Sequence, residues 1–304
     1  MSKIKLYVYP NAGPMLHESP GEVAHGFSNT IPFSPKGIAD HCELVPPEQA
    51  DYFYMGQVAD KDSWLLHPNR FKYFDCNEHR HIVDLEGDWR DFDHPDWLKN
   101  SIITTGHARL SSLDKFKLRF VRPVMSPLLM RLVKNLPKYE PPAKNGFQFQ
   151  GQRDGKGLRE KLYASLQASV MPHEFAFTNS WGCYLEENHP FVVSYLNLAR
   201  KWSIALCPYG EGPTCRFYEM VFLGRMLVLI ADYQVFAEHK MMTGLVVRIA
   251  TDDSVNVMAS RLCYTYQNYS ADEYSEVLDY RDELLVYFKD PTAYLLNWLS
   301  ERAN

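Results

Sequence analysis

"SIALCPYGEGPTCRFYEMVFLGRMLVLI", Ser203 to Ile230, reads as a strand, a loop, a helix and a second strand. Residues 203–206 form an apolar run short enough for a buried strand, and residues 226–230 form another. Between them lies a turn-forming Pro208-Tyr209-Gly210, then Gly212-Pro213, then a helical stretch over 213–223. Pro213 suits the first turn of a helix, where its missing N–H is not needed. Two buried strands joined through one helix by short loops are the mark of a parallel sheet.

The same alternation extends both ways from this stretch. Upstream the pattern predicts a strand at 147–150 and an amphipathic helix at 158–168 carrying Leu158, Leu162 and Leu166. A strand at 175–178 and a helix at 190–201 follow. Downstream comes a strand at 245–249, then helices at 253–267, 271–288 and 292–302. Ser270 with Glu273 makes a capping box for the middle one. Strands and helices in regular succession predict a doubly wound α/β sheet.

The first 140 residues have a different texture, with short strands between long loops containing Pro and His. Strands are predicted at 4–9, 52–55, 81–85, 102–105 and 117–121. Trp64, Leu65, Phe71 and Phe74 recur at helical spacing over 62–74. "KYEPPAKNG", 138–146, can continue neither a helix nor a central strand, so it is the candidate linker.

Composition narrows the function classes. The chain has 304 residues, 46% hydrophobic and 23% charged, which is globular. A net charge of −5 excludes a general nucleic-acid binder, which needs a basic face. The six Cys form no CxxC pair and read as reduced thiols of a cytoplasmic protein. "CNEHRH", 76–81, gathers Cys76, His79 and His81, but no second cluster at ligand spacing accompanies it, so no metal site is expected. No stretch reaches the ~18 apolar residues of a membrane span, and a soluble protein is expected.

In an open parallel sheet, ligands bind beyond the carboxyl ends of the strands. Gly151, Asn179, Ser180 and the segment 208–216 fall at such ends. Gly210 and Gly212 let backbone approach a ligand, and Thr214 and Cys215 offer N–H groups at a helix start suited to phosphate. Arg216 adds a charged fork, and Glu219, three residues on, shares its helix face. The same residues also suit a plain turn followed by a solvated ion pair. No GxGxxG and no Walker lysine is present, which disfavours a dinucleotide or ATP site.

The opening stretch resembles the exostosin-family glycosyltransferase signature, in which a "CP-x-G" turn leads to "R-F-x-E" and a small-residue strand. Cys207, Pro208, Gly210, Arg216, Phe217, Glu219 and Gly224 match it, and Leu227 stands where the family usually has Pro. "KIKLYVYP" resembles the family's first strand. "PPEQADYFYM" matches its next segment at Pro47, Ala50, Asp51 and Phe53, and "HRHIVDLEGDW" the one after at His81, Asp88 and Trp89. "FQFQGQRDGKGLREKL" matches a fourth at Phe149, Gly151, Arg159 and Leu162. The matches run in order from residue 4 to about residue 232.

This resemblance implies the GT-B plan, two Rossmann-like domains with a cleft between them. It implies an acceptor domain over 1–140, a linker at 141–146 and a nucleotide-sugar domain over 147–285. Residues 286–304 would form a helix packing back on the first domain. The implied activity is inverting, metal-independent transfer of xylose or a hexose from a UDP-sugar to a hydroxyl of an oligosaccharide or glycan acceptor. No cofactor or metal is implied. Arg159 and Arg216 would meet the diphosphate, with Gly151, Gly210, Gly212, Thr214 and Cys215 around it. Glu219 would hold the ribose, and Asn179, Ser180 and Tyr209 would lie near the base. Asp88, then Glu86, then His17 are the candidates for the catalytic base. Lacking the membrane anchor of animal exostosins, the sequence reads as a bacterial, algal or large-DNA-virus enzyme. A non-catalytic glycan- or nucleotide-binding protein on the same fold is the alternative reading, and a sugar-nucleotide isomerase a third.

Overall fold

Every strand pairing among the described residues is parallel, and strand and helix alternate from β6 to β10. The computed structural model describes residues 3–10, 33–58, 71–85, 96–106, 118–123, 126–153, 157–179, 186, 188–209, 215–237, 246–268 and 273–302. The first part runs β1 (Ile4–Val8), α1 (Pro35–His41), β2 (Cys42–Leu44), β3 (Tyr52–Val58), β4 (His81–Leu85), β5 (Ile102–Thr105) and β6 (Leu118–Val121). It continues through α2 (Pro127–Lys134), β7 (Lys144–Gln152), α3 (Leu158–Ser169), β8 (His173–Thr178), α4 (Pro190–Lys201) and β9 (Trp202–Pro208). It ends with α5 (Cys215–Phe222), β10 (Met226–Ile230), β11 (Val246–Ile249), α6 (Val255–Asn268), α7 (Glu273–Lys289) and α8 (Pro291–Ser300).

The chain divides into two units. One comprises Met1–Pro123, Tyr233–Ala237 and Val286–Asn304, and the other Val124–Asp232 and Glu238–Leu285.

The first unit is a six-stranded sheet in the order β2-β1-β3-β4-β5-β6. One face buries Tyr9, Phe53, Met55, Phe71, Phe74, Val83, Leu85 and Ile103. His81, at the start of β4, is wholly buried against this face, its ring stacked on Phe53 at 4.7 Å. Its Nδ1 donates to the Asn77 carbonyl at 2.8 Å, which leaves Nε2 to accept from the Tyr9 hydroxyl at 2.9 Å. Burial lowers its pKa to about 4, so the ring is neutral and structural. In α8, Trp298 packs edge-on to Phe120 at 5.2 Å, and Thr292 fills the space that a Cβ on Gly37 of α1 would need.

The second unit is a five-stranded sheet in the order β11-β10-β9-β7-β8. Alternation along the strands sends Phe147, Phe149, Ile204, Leu206, Val228 and Ile230 to one face, where α3 and α6 cover them through Leu162, Leu166, Met258 and Leu262. The opposite face meets α4 and α5. There Gln148 donates to Met220 Sδ, and Gln150 bonds to the Phe191 carbonyl and to Ser194. Read from its first strand, this order is 2-1-3-4-5, and the first unit has the same order with a sixth strand added. Two Rossmann-like parallel sheets are what the GT-B plan requires. The order also puts a topological switch point at β1/β3 in the first unit and at β7/β9 in the second.

Several sequence expectations change in detail. Of the helix predicted over 62–74, residues 62–70 lie outside the described residues. The remainder, Phe71 to Phe74, is a turn closed by Phe74 N–H to the Phe71 carbonyl. Helices α1 and α2 were not predicted. Each opens on a Ser-Pro pair whose Ser caps it: Ser34 accepts from Gly37 N–H, and Ser126 from Leu129 N–H. The Ser270 capping box lies outside the described residues.

The segment 138–146 is strapped to the second unit. Strand β7 begins inside it at Lys144. Arg225, only 1% exposed, donates to the carbonyls of Glu140, Ala199 and Gly224. Gly224 adopts φ +65°, and a Cβ there would stand 2.7 Å from the Tyr139 ring.

Candidate functional site

The switch point of the second unit lies where β7 and β9 end, and two arginines converge on it. Strand β7 finishes at Gln150-Gly151-Gln152. Arg216, in the first turn of α5, donates through Nη2 to the Gln150 carbonyl. Arg159, in the first turn of α3, donates through Nη1 to the Gln152 carbonyl. Both guanidinium groups also face Phe149, at 4.5 Å for Arg216 and 5.5 Å for Arg159.

Gly151 makes this approach possible. A Cβ on it would lie 2.9 Å from the Phe149 ring and 3.1 Å from Arg216 Nη2. Arg216 also lies over the Tyr195 ring of α4 at 4.9 Å, so its guanidinium contacts two aromatic rings.

Glu219 is on the same helix but is not presented to solvent. It is 3% exposed, and both oxygens accept from protein hydroxyls: Oε1 from Ser126 and Oε2 from Tyr195, each at 2.6 Å. Burial, foremost, raises the Tyr195 pKa well above its ordinary value. Arg216 opposes that rise and Glu219 adds to it, so the phenol stays a donor. Cys207, buried beneath the same helix, has its thiol pushed up to about 12, again chiefly by burial, and is no nucleophile. The ribose contact expected of Glu219 would have to reach a carboxylate that is 3% exposed and already accepts one hydroxyl on each oxygen.

The remaining expected residues fall as follows. Tyr209, half-buried after β9, donates its N–H to the Ile230 carbonyl. Cys215 is half-buried at the start of α5, and Asn179 is exposed beyond β8. Arg153, next to Gln152, lies over the Phe177 ring at 4.2 Å and pairs with Glu160. Ser180, Gly210, Gly212 and Thr214 lie outside the described residues, as do the candidate bases Asp88, Glu86 and His17. Thus Gly151, Arg159 and Arg216 come together at one strand end, while Glu219 sits behind them in the core.

Sequence reading missed Ser126 and Tyr195. The Ser126-Pro127 pair was a visible cap signal. Tyr195 looked like one more residue on the buried face of α4, alongside Val192, Leu198 and Ala199. A second buried polar cluster was also missed, at the ends of β4 and β5. Asp84, wholly buried, accepts from Thr104 at 2.8 Å and lies 3.4 Å from Arg122 Nε. Burial raises its pKa, and Arg122 and Thr104 counteract the rise. Among the described residues, no group of three His, Cys, Asp or Glu could hold a metal ion. Nor is any described helix long and apolar enough to cross a membrane.

No protein-family model matches the chain. No curated protein sequence matches it either. Among solved structures it is similar to TarM, at 10% identity and a TM-score of 0.37, covering 75% of this chain and 56% of that one. It is also similar to an α1,3-fucosyltransferase, at 10% identity and a TM-score of 0.42 over 91% of this chain and 81% of that one. A third similarity is to Arabidopsis thaliana UGT89C1 complexed with UDP-L-rhamnose, at 15% identity and a TM-score of 0.38, covering 84% and 73%. The chain spans little more than half the length of TarM.

Proposed function

We propose that this protein is an inverting, metal-independent glycosyltransferase of exostosin type. It moves xylose or a hexose from a UDP-sugar to a hydroxyl of a glycan acceptor. The observation that carries the reading is the pair of arginines, Arg159 and Arg216, meeting over the end of β7 at the switch point of the second sheet. Single displacement at an anomeric carbon releases a nucleoside diphosphate, and its developing negative charge needs fixed positive groups. Two guanidinium groups held by backbone carbonyls and aromatic rings are already oriented for that task.

In this reading Gly151, Gly210, Gly212, Thr214 and Cys215 line the diphosphate, and Asn179, Ser180 and Tyr209 line the base. The acceptor hydroxyl loses its proton to a carboxylate or imidazole of the first unit: Asp88, Glu86 or His17. The strand ends of the second unit carry few further cations for a carboxylated sugar, which favours a neutral donor.

A thermal-shift screen of nucleotides and nucleotide-sugars tests the reading. UDP should raise the melting temperature while AMP and NAD do not, and sugar transfer should persist in EDTA. No shift with any nucleoside diphosphate would refute the proposal. Donor turnover abolished by one substitution among Asp88→Asn, Glu86→Gln and His17→Ala, with UDP binding intact, would identify the base.

A further inference from the structure

We propose that Glu219 is a positioning residue that sets Arg216 through Tyr195, and that it does not itself contact the nucleotide. The proposal rests on the reading of Arg216 as a diphosphate contact. The Arg216 guanidinium lies over the rings of Phe149 and Tyr195 and donates to the Gln150 carbonyl. Phe149 is fixed by the sheet core. Tyr195 comes from a different helix, α4, and what anchors its far end is the hydroxyl that donates to Glu219 Oε2.

The other oxygen of Glu219 is anchored in turn. Ser126 Oγ donates to Oε1 and accepts from Leu129 N–H, so the residue that caps α2 also holds the carboxylate. One buried carboxylate thereby joins the start of α2, the middle of α4 and the first turns of α5. A carboxylate accepts only, and with each oxygen already engaged by a protein hydroxyl and the residue 3% exposed, Glu219 is turned toward the protein. Removing its charge or the Tyr195 hydroxyl removes the hydrogen bond that fixes the far end of this ring, and with it the support the ring gives Arg216.

Calorimetric titration of Glu219→Gln, Tyr195→Phe and the double variant with UDP, 2′-deoxy-UDP and inorganic pyrophosphate tests this. Each single variant should weaken all three ligands by the same factor, roughly fivefold to tenfold, because the effect arrives through a guanidinium that meets the diphosphate. The double variant should be little weaker than the poorer single variant, since both act on one chain of contacts. A Glu219→Gln effect larger for UDP than for 2′-deoxy-UDP, absent for pyrophosphate and additive with Tyr195→Phe would overturn the proposal and restore the ribose role. Should Glu219→Gln fail to fold, Tyr195→Phe keeps the ring and supplies the same comparison alone. Wild-type protein that binds neither UDP nor pyrophosphate would refute the nucleotide reading itself. Wild-type binding with unaffected variants would refute the positioning role only.

Discussion

Replacing Arg225 by Met should detach the Pro-Pro strap from the second unit. Met keeps most of the apolar stem but removes every donor. The wild-type guanidinium gives Nε to the Ala199 carbonyl at 2.5 Å, Nη1 and Nη2 to Glu140 at 3.1 Å each, and Nη1 to Gly224 at 3.0 Å. The carbonyls of buried Ala199 and Gly224, and that of exposed Glu140, thus lose a charge-assisted partner. Leaving such groups unsatisfied costs about 3–5 kcal/mol in all, less than the sum of the bonds because the strap can partly rehydrate. For a unit of this size that loss is a drop of about 10 °C in melting temperature. Urea unfolding followed by intrinsic fluorescence reads the loss, and limited proteolysis should cut the variant near Tyr139. Gly224→Ala is the companion variant: its Cβ would meet the Tyr139 ring at 2.7 Å at a residue with φ +65°, so the same cleavage should appear. A loss below about 1 kcal/mol with no new cleavage would refute the strap.

Val170→Gly should stabilise the protein by about 0.5–1 kcal/mol, since Val170 ends α3 at φ 58° while 85% exposed; equal urea midpoints would contradict this. His81 gives a pH prediction. With its folded pKa at about 4 against an ordinary 6.5, its contribution is complete above pH 6.5. It is lost as pH falls toward 4, because the unfolded chain then takes up a proton the folded one refuses. His81→Gln should therefore lose less stability than wild type between neutral and acid conditions, and parallel losses in urea titrations would show that another group titrates. Gly151→Ala should weaken UDP binding by roughly tenfold or more by pushing Arg216 off its seat, while circular dichroism stays native; unchanged affinity would detach Gly151 from the site.

How much of this could be read from sequence depended on how far away the deciding contacts lay. Strands β4, β5 and β10 and helix α4 have the bounds their patterns predict. Each of those strands is buried along its whole length, and α4 opens on Pro190. Helix α1 escaped because seven residues are too few to show an amphipathic period, whereas α2 carries both a Ser126-Pro127 cap and a buried Leu128, Leu129 and Leu132 face that were overlooked. The Pro-Pro stretch was read as a linker over 138–146, but β7 already begins at Lys144, so only its first part is irregular. Its anchorage by Arg225, 85 residues away from Glu140, leaves no local trace. Glu219 is the sharpest case. Its spacing from Arg216 suggested a shared solvent face, but its partners stand 93 and 24 residues away, and they turn it inward.

The claim that the end of β7 grips a nucleoside diphosphate is tested most directly by calorimetry of UDP on wild-type protein and on Arg216→Ala. Wild type should bind UDP but not uridine, and the variant should lose roughly tenfold to a hundredfold in affinity, the worth of one charge-assisted contact, with its fold intact. Uridine binding as tightly as UDP, or Arg216→Ala binding UDP unchanged, would contradict the account.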